Sequence, residues 1–557
     1  MTWRRIGSIM TRSFYVCSKI DKSHFEKRSV PLQLNLANLH KLPKNYALPA
    51  YDITQMQSRT KAAPVWIHFG AGNIFRMFPA MMQQTLLNNG LAESGIVVCE
   101  SYDEELVEKI FTPYDNLTAA ITLKADGAME KTIVASIAEC LAASQSIDRL
   151  TDIFTNHSLQ MVSFTITEKG YAIHGADGTV LPFIASDIEA GPDGAKSLMG
   201  LITRLAYVRY NTGALPIAFV SMDNCSHNGD KLRDAVLFLA SGWLQAGFVD
   251  NGFLAYLQDT RKVGFPLSMI DKITPRPSDS VRDILAVDGL CDVEPVVTAK
   301  NTYAACFVNA EEVGYLVVED VFPNGKPALD KAGVIFTDRA TVDKVEKMKV
   351  CTCLNPLHTA LAVFGCLLGH TSISGEMSDT NLRRLVEHIG YEEGLPVVVN
   401  PGIINPQTFI DEVLTKRFPN PFVPDTPQRI ACDTSQKIPV RFGETLKAYV
   451  AKGEDISKLT YIPLFFAGWL RYLMAVDDAG NAFTPSPDPL LEELQIAMSG
   501  VMLGGGDYTD ALSSILRNAS IFGVDLCAHG LQDIILGFFN EMNAGAGAVA
   551  KTLAKYV

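Results

Sequence analysis

Trp66-Ile67-His68-Phe69-Gly70-Ala71-Gly72-Asn73-Ile74-Phe75-Arg76 reads as a short apolar strand, a G-x-G turn and the first turn of a helix. Gly70 permits the tight turn. Gly72 lets the backbone approach a pyrophosphate, which free N–H groups and the dipole of the helix N-terminus then stabilise. The third glycine of the usual fingerprint is absent, because Phe75 stands there. An ordinary βα turn shares a bare G-x-G, so the weight lies in position: this turn opens the first clear βαβ unit. Its second strand, 95–99, is followed by Glu100. A carboxylate at that strand end can accept hydrogen bonds from both adenosine ribose hydroxyls and repels a 2′-phosphate, which favours NAD over NADP. A solvated strand end is the plainer reading of the same residue.

Outward from this unit, 159–166 and 216–222 are further apolar strand runs and 232–246 is a helix. Strands alternating with helices imply a mostly parallel sheet covered on both faces. From about Asp338 helical periods take over, at 342–349, 356–368, 379–389, 406–418, 438–452, 462–475, 488–502 and 530–556. The expected organisation is a leader at 1–31, disordered; an α/β Rossmann-type NAD-binding domain with an N-terminal arm at 32–335; and a mainly α-helical substrate and catalytic domain at 336–557. The stretch before residue 60 shows turns but no sustained period.

The 557 residues are 48% hydrophobic and 20% charged, a globular composition. A net charge of −13 repels a phosphate backbone, so nucleic acid is not an expected partner. Eleven cysteines include one close pair, Cys351/Cys353, and neither a C-x-x-C nor a zinc ligand set, so no metal is expected. They read as small buried apolar residues of a reducing cytoplasm. No uninterrupted apolar run reaches membrane length: 357–368 is short and 462–476 carries Arg471. Arg4, Arg5, Arg12 and Lys19 precede any acid, as in a transit peptide; a dispensable leader before a second start at Met10 is the plainer reading.

Polar groups crowd one apolar helix start, Glu346-Lys347-Met348-Lys349-Val350-Cys351-Thr352-Cys353-Leu354-Asn355-Pro356-Leu357-His358. Read without function, Asn355 is an N-cap, Pro356 occupies the first helical position, and Lys349 is a solvated cation. Asp223-Asn224 follows an apolar strand, where catalytic groups of α/β folds project. Residues 265–275 read as a polar loop with an apolar start.

These segments resemble the long-chain mannitol dehydrogenase family of polyol and uronate oxidoreductases. The matching stretches are FGAGNIFR (69–76), TEKGY (167–171), SMDNCSHNG (221–229), FPLSMIDKITP (265–275), EKMKVCTCLNPLH (346–358) and NPFVPDTPQRIACDTSQKIPVRF (420–442). Together they span roughly 32–557, and within the family the 347–369 stretch looks like the fructuronate reductase branch. The resemblance implies catalytic Lys349, Asn355, His358 and Asn224, with Glu346 gating proton passage. It implies Asp271 and Lys437 at the substrate. It implies NAD held by Gly70, Gly72, Asn73, Ile74, Arg76, Glu100, Thr167 and Glu168. The interval from Lys349 to Asn355 is one residue longer than the family's. Such an insertion is absorbed as a bulge or turns Lys349 away, leaving Lys347 as the alternative.

On this reading Lys349 takes the hydroxyl proton as hydride leaves carbon, and returns it in reduction. A free lysine titrates near ~10.4, so the site must desolvate it or bring a cation close. Asn224 and Asn355 donate to the oxygen as it gains alkoxide character. A uronate carboxylate needs a cation, for which Lys437 and Arg429 are the candidates. The expected reaction is NAD-dependent reduction of D-fructuronate to D-mannonate, by a monomer or small homo-oligomer without membrane or nucleic-acid partners. Tagaturonate reduction and mannitol 2-dehydrogenation are the near alternatives, and a non-catalytic NAD sensor the remote one.

Overall fold

Strands buried on both faces are continuous apolar runs rather than alternating ones. Four such runs build the centre of the first half: β1 Trp66–Phe69, β2 Ile96–Glu100, β4 Met161–Phe164 and β5 Ile217–Ser221, every residue of them buried. With β3 Ile137–Ala142 and β6 Val263–Gly264 they form a six-stranded sheet in the order β3-β2-β1-β4-β5-β6. All its pairings are parallel. This is a doubly wound Rossmann-type sheet, whose order reverses between β1 and β4, the place where such sheets bind ligands beyond the strands' C-terminal ends. Helices cover both faces. Leu232, Val236, Leu239 and Trp243 of α2 (Asn228–Gln245) fill one side. Phe75 of α1 (Asn73–Met77) and Leu86 of the helix Pro79–Asn88 fill the other.

The coordinates are a computed structural model that describes residues 32–557; the leader expected at 1–31 lies outside the described residues. The arm that follows it is more regular than its sequence suggests. Ile53–Ala62 is an α-helix N-capped by Asp52, and Tyr46–Ala47 joins a four-stranded sheet with Met129–Val134, Thr118–Leu123 and Phe307–Glu311. That helix buries only Met56 and Thr60, so its sequence shows no apolar period to find. Residues 265–275 are likewise not a loop throughout: Ser268–Asp271 is a fully buried strand, paired antiparallel with Tyr315–Glu319.

In the second half α3 (Arg339–Met348) runs through a π turn at Lys349–Cys353 into α4 (Asn355–Leu368). The sequence reads these as two helices. Joined, Arg339–Leu368 is long and apolar enough to cross a bilayer, yet 78% of its most apolar window is buried in the protein. Thr434–Ile438 (α5) is continued by a π turn at Pro439–Gly443 and the helix Glu444–Ala451. Against α4 lies α6 (Tyr461–Leu473), buried from Ile462 onward. A helix apolar all round belongs at the centre of a domain. Arg471, buried within it, caps its end by donating to the carbonyls of Val476 and Asp477. The helix read at 488–502 shrinks to Leu491–Ala497, and that read at 530–556 divides into Gln532–Met542 and Ala548–Tyr556. Gly545 (φ 148°) and Gly547 (φ 75°) make the break.

Candidate active site

The glycine turn sits at the C-terminal end of β1, beside the switch point. Gly70 has φ 105°, and a Cβ there would meet the Thr165 carbonyl oxygen at 2.3 Å, so no other residue fits. Gly72 differs. A Cβ on it would meet nothing within 4 Å, and its φ of −75° suits any residue. Nothing in the protein demands glycine there; the open space over the turn fits a cofactor diphosphate approaching the backbone. Phe75, in place of the third glycine, is fully buried and stacks on His68 with ring centroids 4.2 Å apart. The chain makes room by ending α1 after five residues, kinking at Phe78 ahead of Pro79. The α1 dipole is correspondingly short, and the turn offers chiefly backbone N–H groups, with Asn73 and Ile74 part-exposed.

Three expected cofactor positions have other occupations. Glu100 lies at the turn, as its position implies, but one carboxylate oxygen accepts from the N–H of Ala71 (2.8 Å). The other accepts from the N–H groups of Ser101, Tyr102 and Asp103 (2.9–3.1 Å). Three bonds crowd one oxygen, while the other, holding Ala71, keeps an acceptor site, so Glu100 clasps the glycine turn to the next loop and can still accept one hydrogen bond. Arg76 is buried, donating to the Ala305 carbonyl and to Asn73 Oδ1 (2.7 and 2.8 Å). Glu168 is exposed and pairs with Lys231. Thr167 stands at the crevice with φ 64°. It is held there by Asp223, whose carboxylate accepts from the N–H groups of Ile166 and Thr167 and from the Tyr171 hydroxyl, at 2.6–2.9 Å.

The residue after Asp223 reaches the helical half. Lys349 Nζ, 5% exposed, lies 3.0 Å from Asp271 Oδ1 and donates to Asn224 Oδ1 (3.3 Å) and the Ile270 carbonyl (3.2 Å). Because an ammonium can only donate, Asn224 must turn its oxygen to Lys349, which leaves its NH2 for another partner. The π turn explains how Lys349 arrives. The Leu354 N–H bonds to the Lys349 carbonyl (3.1 Å), an i→i+5 closure one residue wider than an α turn. Lys347 is exposed. Glu346 is part-exposed one turn before Lys349, facing the Cys225 side of the Asn224 loop.

Asp271 belongs to a larger buried ionic group that sequence reasoning missed. Arg417 donates to both Asp271 oxygens (2.5 and 3.1 Å) and both Glu311 oxygens (3.0 and 2.8 Å), with all three side chains at most 5% exposed. Burial pushes the Asp271 carboxyl up, but the Lys349 and Arg417 cations outweigh it and hold the group at about 2. Arg417 falls in a helical stretch where a cation reads as surface, so no local signal marks it.

His358 occupies the first turn of α4. Its ring packs on Phe418, and its buried Nε2 has no hydrogen-bond partner, with Asp425 Oδ2 at 3.7 Å. Burial, reinforced by Arg441, Arg429, Arg417 and Lys437, pushes its pKa down to about 3, so the imidazole is neutral. Of the two expected carboxylate binders, Arg429 is 62% exposed and bonded to Asp425. Lys437 Nζ donates to the carbonyls of Ile430 and Cys432. Arg417, His358 and Asp425 line one small cavity, closed by Ile273, Leu354 and Phe418. The structure therefore brings together Lys349, Asn224 and Asp271, and separately His358, Lys437 and Arg429, with Arg417 between them.

Two family models match the chain: the mannitol dehydrogenase Rossmann domain over residues 65–331 and the mannitol dehydrogenase C-terminal domain over 341–531. A D-mannonate oxidoreductase of Thermotoga maritima is 49% identical over 516 residues, 91% of this chain and 95% of that protein. Among solved structures, the Pseudomonas fluorescens mannitol 2-dehydrogenase in ternary complex with NAD and D-mannitol is 26% identical. Its TM-score is 0.67, covering 94% of this chain and 99% of that one. A substrate-free D-sorbitol dehydrogenase, 23% identical, matches the fold with a TM-score of 0.74 over 90% of this chain and all of its own.

Proposed function

The chain belongs to the mannitol dehydrogenase family, and from that membership we propose that it is an NAD-dependent oxidoreductase reducing D-fructuronate to D-mannonate. The observation that carries the substrate is the 49% identity to a D-mannonate oxidoreductase along nearly its whole length. Residues 32–335 supply the cofactor crevice and 336–557 the lysine and the cationic residues, with Asn224 and Asp271 crossing between them.

Gly70, Gly72, Asn73 and Ile74, with Thr167 at the crevice edge, would hold NADH, which when bound would supply the hydride for the ketone carbon. Lys349 Nζ gives its proton to the ketone oxygen as that oxygen gains charge. The Asn224 amide, its oxygen fixed by Lys349, presents N–H groups to the same oxygen, and Asn355 at the head of α4 is the second donor. Asp271 fixes the lysine by an ion pair that Arg417 shares, so the carboxylate is not left to Lys349 alone. Glu346 lies one turn from Lys349 on the solvent side and passes a proton to it. Neutral His358 orients the substrate by a hydrogen bond from its unpartnered Nε2 side.

The test is NADH oxidation with fructuronate, tagaturonate and fructose in parallel. Fructuronate should give the highest kcat/KM. A preference for tagaturonate or fructose replaces the substrate assignment.

A further inference from the structure

Four cations act on His358: Arg441, Arg429, Arg417 and Lys437. Their partners differ. Arg417 spends four of its five N–H groups on two carboxylates, and Arg429 is exposed and tied to Asp425. Lys437 uses two of its three N–H groups on backbone carbonyls. Arg441 stands apart. Among the described residues no carboxylate lies within ion-pair distance of its guanidinium. One nitrogen, Nη1, donates to Thr359 Oγ1 (2.5 Å) and the Asn355 carbonyl (3.4 Å), leaving Nε and Nη2 without a protein acceptor. Burial alone pulls its pKa down to about 10, with no acid offsetting it, and it in turn depresses Lys437. Arg441 is part-exposed, and a cation so placed beside a second cation gains from a counter-ion.

We infer that Arg441, with the free N–H of Lys437, is the site that takes the substrate's carboxylate and so sets the preference for a uronate over a neutral ketose. The inference rests on the uronate reading above and deepens it. Geometry supports the assignment. One Arg441 nitrogen reaches both the Asn355 carbonyl and the Thr359 hydroxyl, which are themselves hydrogen-bonded at 2.9 Å, so the guanidinium lies against the first turn of α4. In a hexuronate with its ketone next to the terminal CH2OH, four C–C bonds separate ketone from carboxyl carbon, about 5 Å end to end. A substrate whose ketone lies at Lys349 and the Asn355 amide carries its carboxylate one such length away, for the Arg441 nitrogens that lack a protein acceptor to meet. The unpartnered His358 Nε2 lies beside the same turn.

Two variants separate charge from anchoring: Arg441→Gln keeps a donor for Thr359 without the charge, and Arg441→Lys keeps the charge. The readouts are the ratio of kcat/KM for fructuronate to that for fructose, and calorimetric binding of D-mannonate and of mannitol in the presence of NAD. Arg441→Gln should lower the ratio about 10–100-fold, the value of one charge-assisted hydrogen bond, with the change mainly in KM. It should weaken mannonate far more than mannitol, and Arg441→Lys should recover part of both. Equal losses for the uronate and the ketose, or mannonate binding undiminished in Arg441→Gln, overturn the assignment. If Arg441→Gln does not fold, the same readouts on Arg441→Lys decide, because a lysine cannot bind a carboxylate bidentately and the ratio must still fall. A wild type that prefers fructose overturns the uronate reading itself, and the mannonate-binding arm then judges Arg441 independently.

Discussion

Replacing Arg417 with Met tests whether the buried ionic group holds the two halves of the site together. The side chain makes four N–H···O contacts, at 2.5–3.1 Å, to two carboxylates that have almost no exposure. In the variant Asp271 keeps Lys349 at 3.0 Å, whereas Glu311 keeps only the Ile273 N–H. Breaking a buried pair from one side costs about 3–5 kcal/mol, because the remaining charge stays desolvated. For a unit the size of the helical half that is a fall of roughly 6–20 °C in thermal midpoint. The deficit should depend on pH. The Glu311 carboxyl is already pushed up by burial against the pull of Arg417, and losing the guanidinium pushes it further. A carboxyl raised above its unfolded value destabilises the fold only where the unfolded chain is ionised, above about pH 4.3. The gap between variant and wild type should therefore be largest at pH 7.5 and narrower at pH 5. Thermal unfolding followed by circular dichroism at both values measures it. A variant as stable as wild type, or one whose deficit grows on acidification, refutes the reasoning.

Lys349→Ala should lower kcat by about 10²–10⁴ while NADH still binds, measured by turnover and by nicotinamide fluorescence, with Lys347→Ala near normal; a dead Lys347 variant beside an active Lys349 variant reverses the assignment. Glu376, wholly buried in the helical half with both oxygens unpartnered, is pushed up to about 8 by burial. Wild-type stability should fall as pH rises from about 4.5 through 8, and Glu376→Leu should remove that slope in unfolding midpoints taken across the range. Glu100→Ala should weaken NADH and NADPH binding together and lower the midpoint, since its carboxylate clasps four backbone N–H groups; stronger NADPH binding in a stable variant would return it to a ribose-reading role.

What the sequence makes legible is what depends on local pattern. The runs that become β1, β2, β4 and β5 announce themselves because burial on both faces forbids polar residues within them. Gly70 is readable because a positive φ and a close carbonyl leave no alternative. The arm helix at Ile53–Ala62 escapes because it buries two side chains rather than a stripe. Ser268–Asp271 escapes because a four-residue strand gives no alternation to read. The lysine motif is legible as a polar cluster at a helix start, but only backbone geometry shows the π turn at Lys349–Cys353. Arg417, Glu311 and Arg441 have partners more than 80 residues away in the chain, and no spacing encodes such meetings. Glu100 is found by position, but its bonds to four main-chain N–H groups are not legible, because they come from loops that periodicity cannot place.

The central claim is hydride delivery to the ketone of a uronate, with Lys349 supplying the proton. Reducing fructuronate with NADH deuterated at the transferring position and reading the product by NMR tests it in one step. The account predicts D-mannonate carrying one deuterium at the former ketone carbon, formed by wild type and not at comparable rate by Lys349→Ala. Undeuterated product, the other epimer at that carbon, or an unimpaired lysine variant would contradict it.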